Sequence, residues 1–342
     1  MKILVGMSGG TDSTFAALKL IKEGYEVEGA VLVMHEYTEL EEARKVAAEI
    51  GIKLHVIDAK ELFINIIENN FAEEYAAGRT PNPCIICNER IKFRKLADYA
   101  KEHGFDAIAT GHYARILKTS SLQGGRYAVG VAADVKKDQS YMLYRLPQDI
   151  LAYLVFPLCD LTKEEVRAIS REEGLDCADK KDSQEICFLP DGGYAEFVES
   201  VKGKFPKGNF VDPSGHILGE HNGIIRYTVG QRKGLGISLG ERAFVTKIDP
   251  ITNEITLSSS LDGVEKLIIT DVVFSGVSPQ NPGSCLSLKA KVRYTAPLVP
   301  VKAYFDGSDK VTVVFDSPVK AAPGQSCVLY DNNAVALGGI IE

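Results

Sequence analysis

The 342-residue chain has no apolar run close to the roughly 18 residues that a membrane-spanning helix requires, so no membrane role is expected. It also lacks low-complexity tracts and internal repeats. With 45% hydrophobic and 25% charged residues, the composition excludes fibrous and disordered classes and describes an ordinary globular protein. Basic residues are not in excess either: 39 Lys and Arg face 46 Asp and Glu, a formal net charge of -7. An indiscriminate nucleic-acid binder is therefore not expected, because such proteins draw their affinity from neutralising phosphates. The amino terminus enters an apolar strand with no basic n-region or cleavage site, which predicts a cytoplasmic protein. In that compartment seven cysteines, an odd number, read as thiols, metal ligands or redox groups and not as a disulfide framework.

The most informative absence is one lysine. In "ILVGMSGGTDSTFAALKLI", Ile3 to Ile21, an apolar strand passes through two glycines into a helical pattern, as in a phosphate cradle. The lysine of a GxxxxGK[ST] loop is missing. Between strand and helix, the backbone N–H groups of residues 8–13 and the helix dipole would point at one spot, where an anion belongs. Ser8, Thr11 and Ser13 would add hydroxyl donors. Asp12 would repel a phosphate unless Mg²⁺ lay between them.

Strand-like and helical runs alternate through the first part: Ile3 to Val5, helix to Glu23, Glu28 to Val33, helix from Thr38 to Ile50, then Lys53 to Ile57. That order predicts an α/β doubly wound parallel sheet. A further strand, Ala107 to Thr110, ends in "TGHYARI", and ligands bind at the carboxyl ends of such strands, so Gly111 and His112 join the site by topology. "RILKTSSLQGGRYAVGVAAD" reads as a hairpin, and "LTKEEVRAISREEG" as a helix with a capping box made by Thr162 and Glu165. Beyond about Asp191 helical periodicity is absent and a small β-rich unit is expected. From about Gly263, alternating runs such as "KVTVVF" predict an all-β barrel. The expected domains are 1–192, 193–262 and 263–342.

"GRTPNPCIICNERIKF" places Cys84 and Cys87 three apart at a helix start, on one shared face, after a proline-rich loop. Arg79, Arg90 and Lys92 lie near in sequence, an arrangement that favours thiolate. Alone, the CxxC reads equally as half a zinc site, a redox pair or chance. A third cysteine, Cys187, stands in "DSQEICFLP"; Cys159, Cys177, Cys285 and Cys327 lack motif-like neighbours and read as buried apolar residues.

"SGGTDS" resembles the loop of the PP-loop ATP pyrophosphatases, which cleave ATP between its α and β phosphates. The resemblance implies that Gly6, Met7, Ser8, Gly9, Gly10, Thr11, Asp12 and Ser13 bind ATP with Mg²⁺ and grip the departing pyrophosphate, with Met34 and Gly111 flanking the adenine. "SGGTDS", "GRTPNPCIICNERIKF", "ATGHYAR", "KDQSYMLY", "DSQEICF", "YTVGQRKGLGI" and "FDSPVKAAPGQSCVLYD" fall in the order of the tRNA-specific 2-thiouridylase family, over nearly the whole chain. By that resemblance the fold is a Rossmann-like PP-loop domain followed by the two β-rich units, and the partner is the anticodon stem-loop of tRNA. Cys87 matches the nucleophile position, and Cys187 the carrier of persulfide sulfur from a donor protein. His112, Lys137, Asp138, Gln139, Arg293, Tyr294 and Gln325 match positions of tRNA contact.

One position departs from the family: Cys84 stands where many members have an aspartate proposed as a general acid or base. Three cysteines can hold three irons of a [4Fe–4S] cluster and leave the fourth open to sulfide, as in other PP-loop tRNA thiolation enzymes. Two routes follow: sulfide on a cluster held by Cys84, Cys87 and Cys187, or a persulfide on Cys187 released by Cys87. The rival readings are a PP-loop ligase acting on a small metabolite, and a zinc-stabilised RNA-binding module built on the three cysteines with His112.

Overall fold

The computed structural model describes residues 1–119, 126–180, 186–189, 193–237 and 242–342. β1 (Lys2–Gly6), with Ile3, Leu4 and Val5 buried, leads through the glycine loop into α1 (Thr11–Lys22). β2 (Glu26–Val33), α2 (Leu40–Glu49) and β3 (Leu54–Asp58) continue the alternation. A helical stretch follows, with α3 (Lys60–Phe63) and α4 (Asn69–Ala76) joined by a π-turn at Ile64–Glu68. The proline-rich loop then opens α5 (Pro83–Cys87), which passes through a second π-turn, Asn88–Lys92, into α6 (Phe93–Glu102). β4 (Ala107–Thr110), the hairpin of β5 (Arg115–Thr119) and β6 (Arg126–Gly130), α7 (Gln148–Leu151), β7 (Leu154–Val155) and α8 (Lys163–Glu172) complete the first part. The turn of that hairpin lies outside the described residues.

The sheet has the order β3-β2-β1-β4-β7, every pair parallel. Chain direction around the sheet reverses between β1 and β4, so the crevice at their carboxyl ends is the binding position of a doubly wound fold. The α8 capping box is present: the Thr162 side chain accepts from the Glu165 N–H, and the Thr162 N–H donates to the Glu165 carboxylate at 2.8 Å.

After residue 193 the expectation of no helix is wrong. α9 (Tyr194–Lys202) opens this unit, with Ala195 and Val198 buried on one face. Tyr194 stacks on Tyr75 with ring centroids 4.6 Å apart, and Phe197 meets Phe71 and Phe188, so aromatic contacts with α4 stabilise a short helix of weak intrinsic signal. The predicted boundary at residue 192 lies outside the described residues. β8 (Gly208–Val211), β9 (Ile217–His221), β10 (Phe244–Asp249) and β11 (Glu254–Ser258) then form one small sheet in the order β10-β11-β8-β9.

The last part is a six-stranded closed barrel: β12 (Val264–Phe274), β13 (Cys285–Lys291), β14 (Val299–Phe305), β15 (Val311–Val319), β16 (Ser326–Asp331) and β17 (Ala334–Ile341), closed by the β12–β17 pairing. It docks on the first domain through buried tyrosines. Tyr141 donates to the Ser326 carbonyl at 2.8 Å, Tyr144 meets the Ser326 hydroxyl, and Tyr330 meets the Ser140 hydroxyl. A side chain at Gly338 would lie 2.6 Å from the ring of Tyr144, itself fully buried. The Gly338→Ala variant is therefore expected to lose about 1–3 kcal/mol of stability through overpacking, read as a lower denaturant midpoint at unchanged m.

Candidate active site

The glycine loop is folded on itself. Gly9 has φ +77°, and a Cβ there would strike the backbone of α2 at Glu42 and Ala43, so glycine is required. The Ser8 N–H donates to Ser13 Oγ at 3.1 Å, and Ser13 Oγ donates to the Gly10 carbonyl at 3.1 Å. Thr11 turns away: its hydroxyl donates to the Cys177 carbonyl, so of the three hydroxyls expected to face the anion this one is engaged elsewhere. Gly6 and Met7 continue β1, Met7 being buried with its N–H donating to the Ala30 carbonyl. Gly111 lies against the first turn of α1, where a Cβ would stand 2.6 Å from Asp12 C and Ser13 N. The loop and the end of β4 are thus in backbone contact.

Asp12 is not a bare charge. Lys163, the first residue of α8, places Nζ 2.8 Å from both carboxylate oxygens, and the Tyr113 hydroxyl donates to Oδ1 at 2.8 Å. The anticipated repulsion of phosphate by Asp12 is already offset by this ammonium.

The three cysteines lie within electrostatic reach of one another. Cys87 is buried, while Cys84 and Cys187 are accessible to solvent. Burial pushes the Cys87 thiol up to about 11, with the Lys92 ammonium acting against it and Cys187 and Cys84 adding to the rise. Cys84 and Cys187 are raised as well, burial first and Lys92 opposing. Lys92 therefore acts on all three thiols but does not overcome burial, and the expected thiolate is not the resting state. Arg79 is engaged by Glu74, with Nε 2.6 Å from Oε2, and Arg90 approaches Glu89 at 3.7 Å. Cys87 Sγ lies 3.8 Å from Met34 Sδ, so this thiol adjoins the end of β2. Of the other four cysteines, Cys177 and Cys327 are buried as expected; Cys159 is only half-buried and Cys285 is exposed.

The remaining site residues gather in two places. His112 bonds Thr110 Oγ1 through Nδ1 at 2.8 Å and packs against Phe93 and Phe156; burial, with Lys92 adding, lowers its pKa to about 3, so the ring is neutral. Tyr294 packs against Tyr141 and lies within electrostatic reach of Asp138, Lys137 and Asp134, which brings the barrel beside the 134–139 loop. Arg293 beside it is exposed. The Asp138 carboxylate is buried and accepts from the Ala132 and Ser140 N–H groups and the Ser140 hydroxyl, so its side chain shapes the loop. Gln139 is likewise engaged, its side-chain oxygen accepting from the Tyr113 N–H at 2.9 Å. Gln325 donates to the Thr80 carbonyl at 2.8 Å, fixing the barrel to the loop before α5.

Three family models match in succession: the tRNA methyl transferase HUP domain over residues 1–191, the tRNA methyl transferase PRC-barrel domain over 195–259, and the aminomethyltransferase beta-barrel domain over 264–341. The tRNA-specific 2-thiouridylase MnmA of Clostridioides difficile strain 630 is 42% identical, covering 100% of this chain and 98% of its own length. The corresponding protein MnmA 2 of Clostridium botulinum strain Loch Maree is 44% identical over 99% of this chain and 98% of its own. The chain belongs to the tRNA-specific 2-thiouridylase family. A solved 4-thiouridine synthetase–RNA complex with bound ATP shares 18% identity over 55% of this chain and 44% of that one, at a TM-score of 0.38.

Family resemblance alone did not point to Lys163 or Tyr113. The signal for Lys163 was present: a basic residue at the first position of a well-capped helix opposes the helix dipole and calls for a carboxylate partner. For Mg²⁺, Asp12 offers the hard oxygen donor that such an ion takes together with phosphates. For iron the donors are of the right kind, but among the described residues no three His, Cys, Asp or Glu side chains converge as a metal-ligand group. As arranged, Cys84, Cys87 and Cys187 do not form a cage for a [4Fe–4S] cluster, nor a zinc site with His112. With its pKa near 11 in place of 9.0, Cys87 is expected to react with iodoacetamide at pH 8 about 100-fold more slowly than an unperturbed thiol. Replacing Lys92 by Met removes a stabiliser of the thiolate and should slow it further, as followed by mass spectrometry of the alkylated peptide.

Proposed function

We propose that this chain uses ATP and Mg²⁺ to replace the C2 oxygen of the wobble uridine of tRNA by sulfur. The observation that carries this reading is the junction of two chemistries at one sheet edge: the glycine loop at the end of β1, and the Cys87 thiol, which touches Met34 at the end of β2 and lies within electrostatic reach of Cys84 and Cys187. The uracil oxygen is a poor leaving group. Attack of that oxygen on the α-phosphorus expels pyrophosphate and leaves an adenylated base, from which the oxygen later departs with AMP. The loop N–H groups receive the phosphate charge, and Asp12 is the residue that would hold Mg²⁺, whose charge would neutralise part of it.

Sulfur then attacks C2. In the reading that the thiol arrangement supports, the terminal sulfur of a Cys187 persulfide bonds to C2 while AMP leaves, and Cys87 displaces the product sulfur from Cys187. This forms a disulfide between the two and requires an external thiol reductant for the next turnover. No step passes through a cluster. Lys92 favours each thiolate as it forms. Arg293, Tyr294 and the 134–139 loop are assigned to the RNA, whose unstacked anticodon bases suit aromatic and guanidinium surfaces. Neutral His112 is suited to a base edge and not to a phosphate.

Incubation with Mg²⁺-ATP, tRNA and a persulfide donor is expected to yield AMP, pyrophosphate and 2-thiouridine, measured by mass analysis of the digested tRNA. Cys87→Ser and Cys187→Ser should abolish 2-thiouridine while retaining pyrophosphate release, and Cys84→Ser should lower the yield only mildly. Formation of ADP and orthophosphate would refute the reading. Stoichiometric iron and sulfide in anaerobically purified protein, with equal loss in all three cysteine variants, would replace the persulfide route by the cluster route.

A further inference from the structure

We propose that Lys163 is the phosphate-binding lysine that the glycine loop lacks in sequence, held by Asp12 and transferred to the outer phosphates of ATP when the nucleotide enters. This rests on the nucleotide reading of the loop given above. Asp12 is the second residue of α1, on the turn whose N–H groups face the expected anion, and Lys163 Nζ stands 2.8 Å from both of its oxygens. The ammonium is therefore already at the mouth of the cradle, delivered from a helix about 150 residues further along the chain.

Its placement is costly without an anion. The Lys163 side chain is only 7% exposed, and the first position of α8 sets it against the positive end of the helix dipole. A lysine is stable there because a carboxylate faces it. The two partners are unequally covered: the Asp12 side chain is 32% exposed. Asp12 can thus swing toward solvent, and toward the cation that ATP carries, while Lys163 keeps its position. That position is rigid at its base, where the Lys163 N–H donates to Asp134 Oδ2 at 3.0 Å and the Thr162–Glu165 capping box closes the helix start. Exchange of a carboxylate for a phosphate as the lysine's partner makes and breaks no covalent bond, and it replaces a single negative charge by a more highly charged oxyanion.

Asp134 adds a consequence. Its other oxygen accepts from the Lys136 and Lys137 N–H groups, so one carboxylate ties the start of α8 to the loop assigned to RNA. The phosphate end of the nucleotide site and that loop share an anchor.

The test is calorimetric binding of ATP, pyrophosphate and AMP to the full-length protein in EDTA, so that no divalent cation bridges the partners. The variants are K163M, D12N and D12N/K163M. Lys163→Met is expected to weaken ATP and pyrophosphate by about 10-fold or more, the loss of one charge-assisted hydrogen bond, and to leave AMP affinity within about 2-fold. Asp12→Asn should bind ATP at least as tightly as wild type, and the double variant should stay as weak as K163M. Unchanged ATP binding by K163M overturns the assignment, as does recovery in the double variant, which would make Lys163 a neutraliser of Asp12 alone. If K163M fails to fold, D12N against D12N/K163M gives the same comparison without an unpaired carboxylate at position 12. Wild type that binds neither ATP nor pyrophosphate overturns the nucleotide reading itself and this proposal with it.

Discussion

Backbone contact between Gly111 and the first turn of α1 is the constraint on which the site depends. A Cβ at 111 would stand 2.6 Å from the main chain of Asp12 and Ser13. The contact joins the first turn of α1 to the exit of β4, where the sheet order reverses between the paired strands β1 and β4, so the helix amino terminus, the Asp12 carboxylate and the exit of β4 share one small volume. Tyr113, two residues beyond Gly111, reaches Asp12 through its hydroxyl. His112, between them, turns to the other side and meets the aromatic wall of Phe93 and Phe156. One strand end thereby meets the glycine loop on one side and the aromatic wall on the other.

The thiol side is a contest between burial and one ammonium. For each of Cys84, Cys87 and Cys187 burial is the larger influence and raises the pKa, while Lys92 lowers it. The thiols accordingly rest protonated beside a cation that favours the charged form. The π-turn at Asn88–Lys92 explains how one lysine reaches them. Five residues along an ordinary α-helix rotate a side chain roughly 140° away from its starting face. In a π-turn the fifth residue closes the hydrogen bond instead, and the Lys92 N–H also lowers the Cys87 pKa.

The barrel completes the site from outside. Tyr141, Tyr144 and Tyr330 bury their rings at the seam with the first domain, and their hydroxyls meet Ser326 and Ser140. Such a seam carries both apolar area and satisfied polar groups, which sets orientation as well as affinity. Through it Gln325 meets the loop before α5, and Tyr294 meets the 134–139 loop. Residues as far as 245 positions apart in the chain become neighbours.

The parallel sheet, the glycine loop, the α8 capping box, the start of α5 and the barrel were legible in the amino-acid order, because each depends on local periodicity, caps or turn residues. α9 was not, since aromatic contacts with α4 and Phe188 decide it more than its own pattern does. The candidate thiols could be named from their motifs, but not their protonation, for burial is a property of everything packed around a group. Nor could the partner of Asp12 be read from the loop. Lys163 is about 150 residues away, and only the docking of α8 on α1 brings its ammonium to the place that the missing lysine would have filled. Local geometry follows from neighbours in the chain; charge pairing and desolvation follow from neighbours in space.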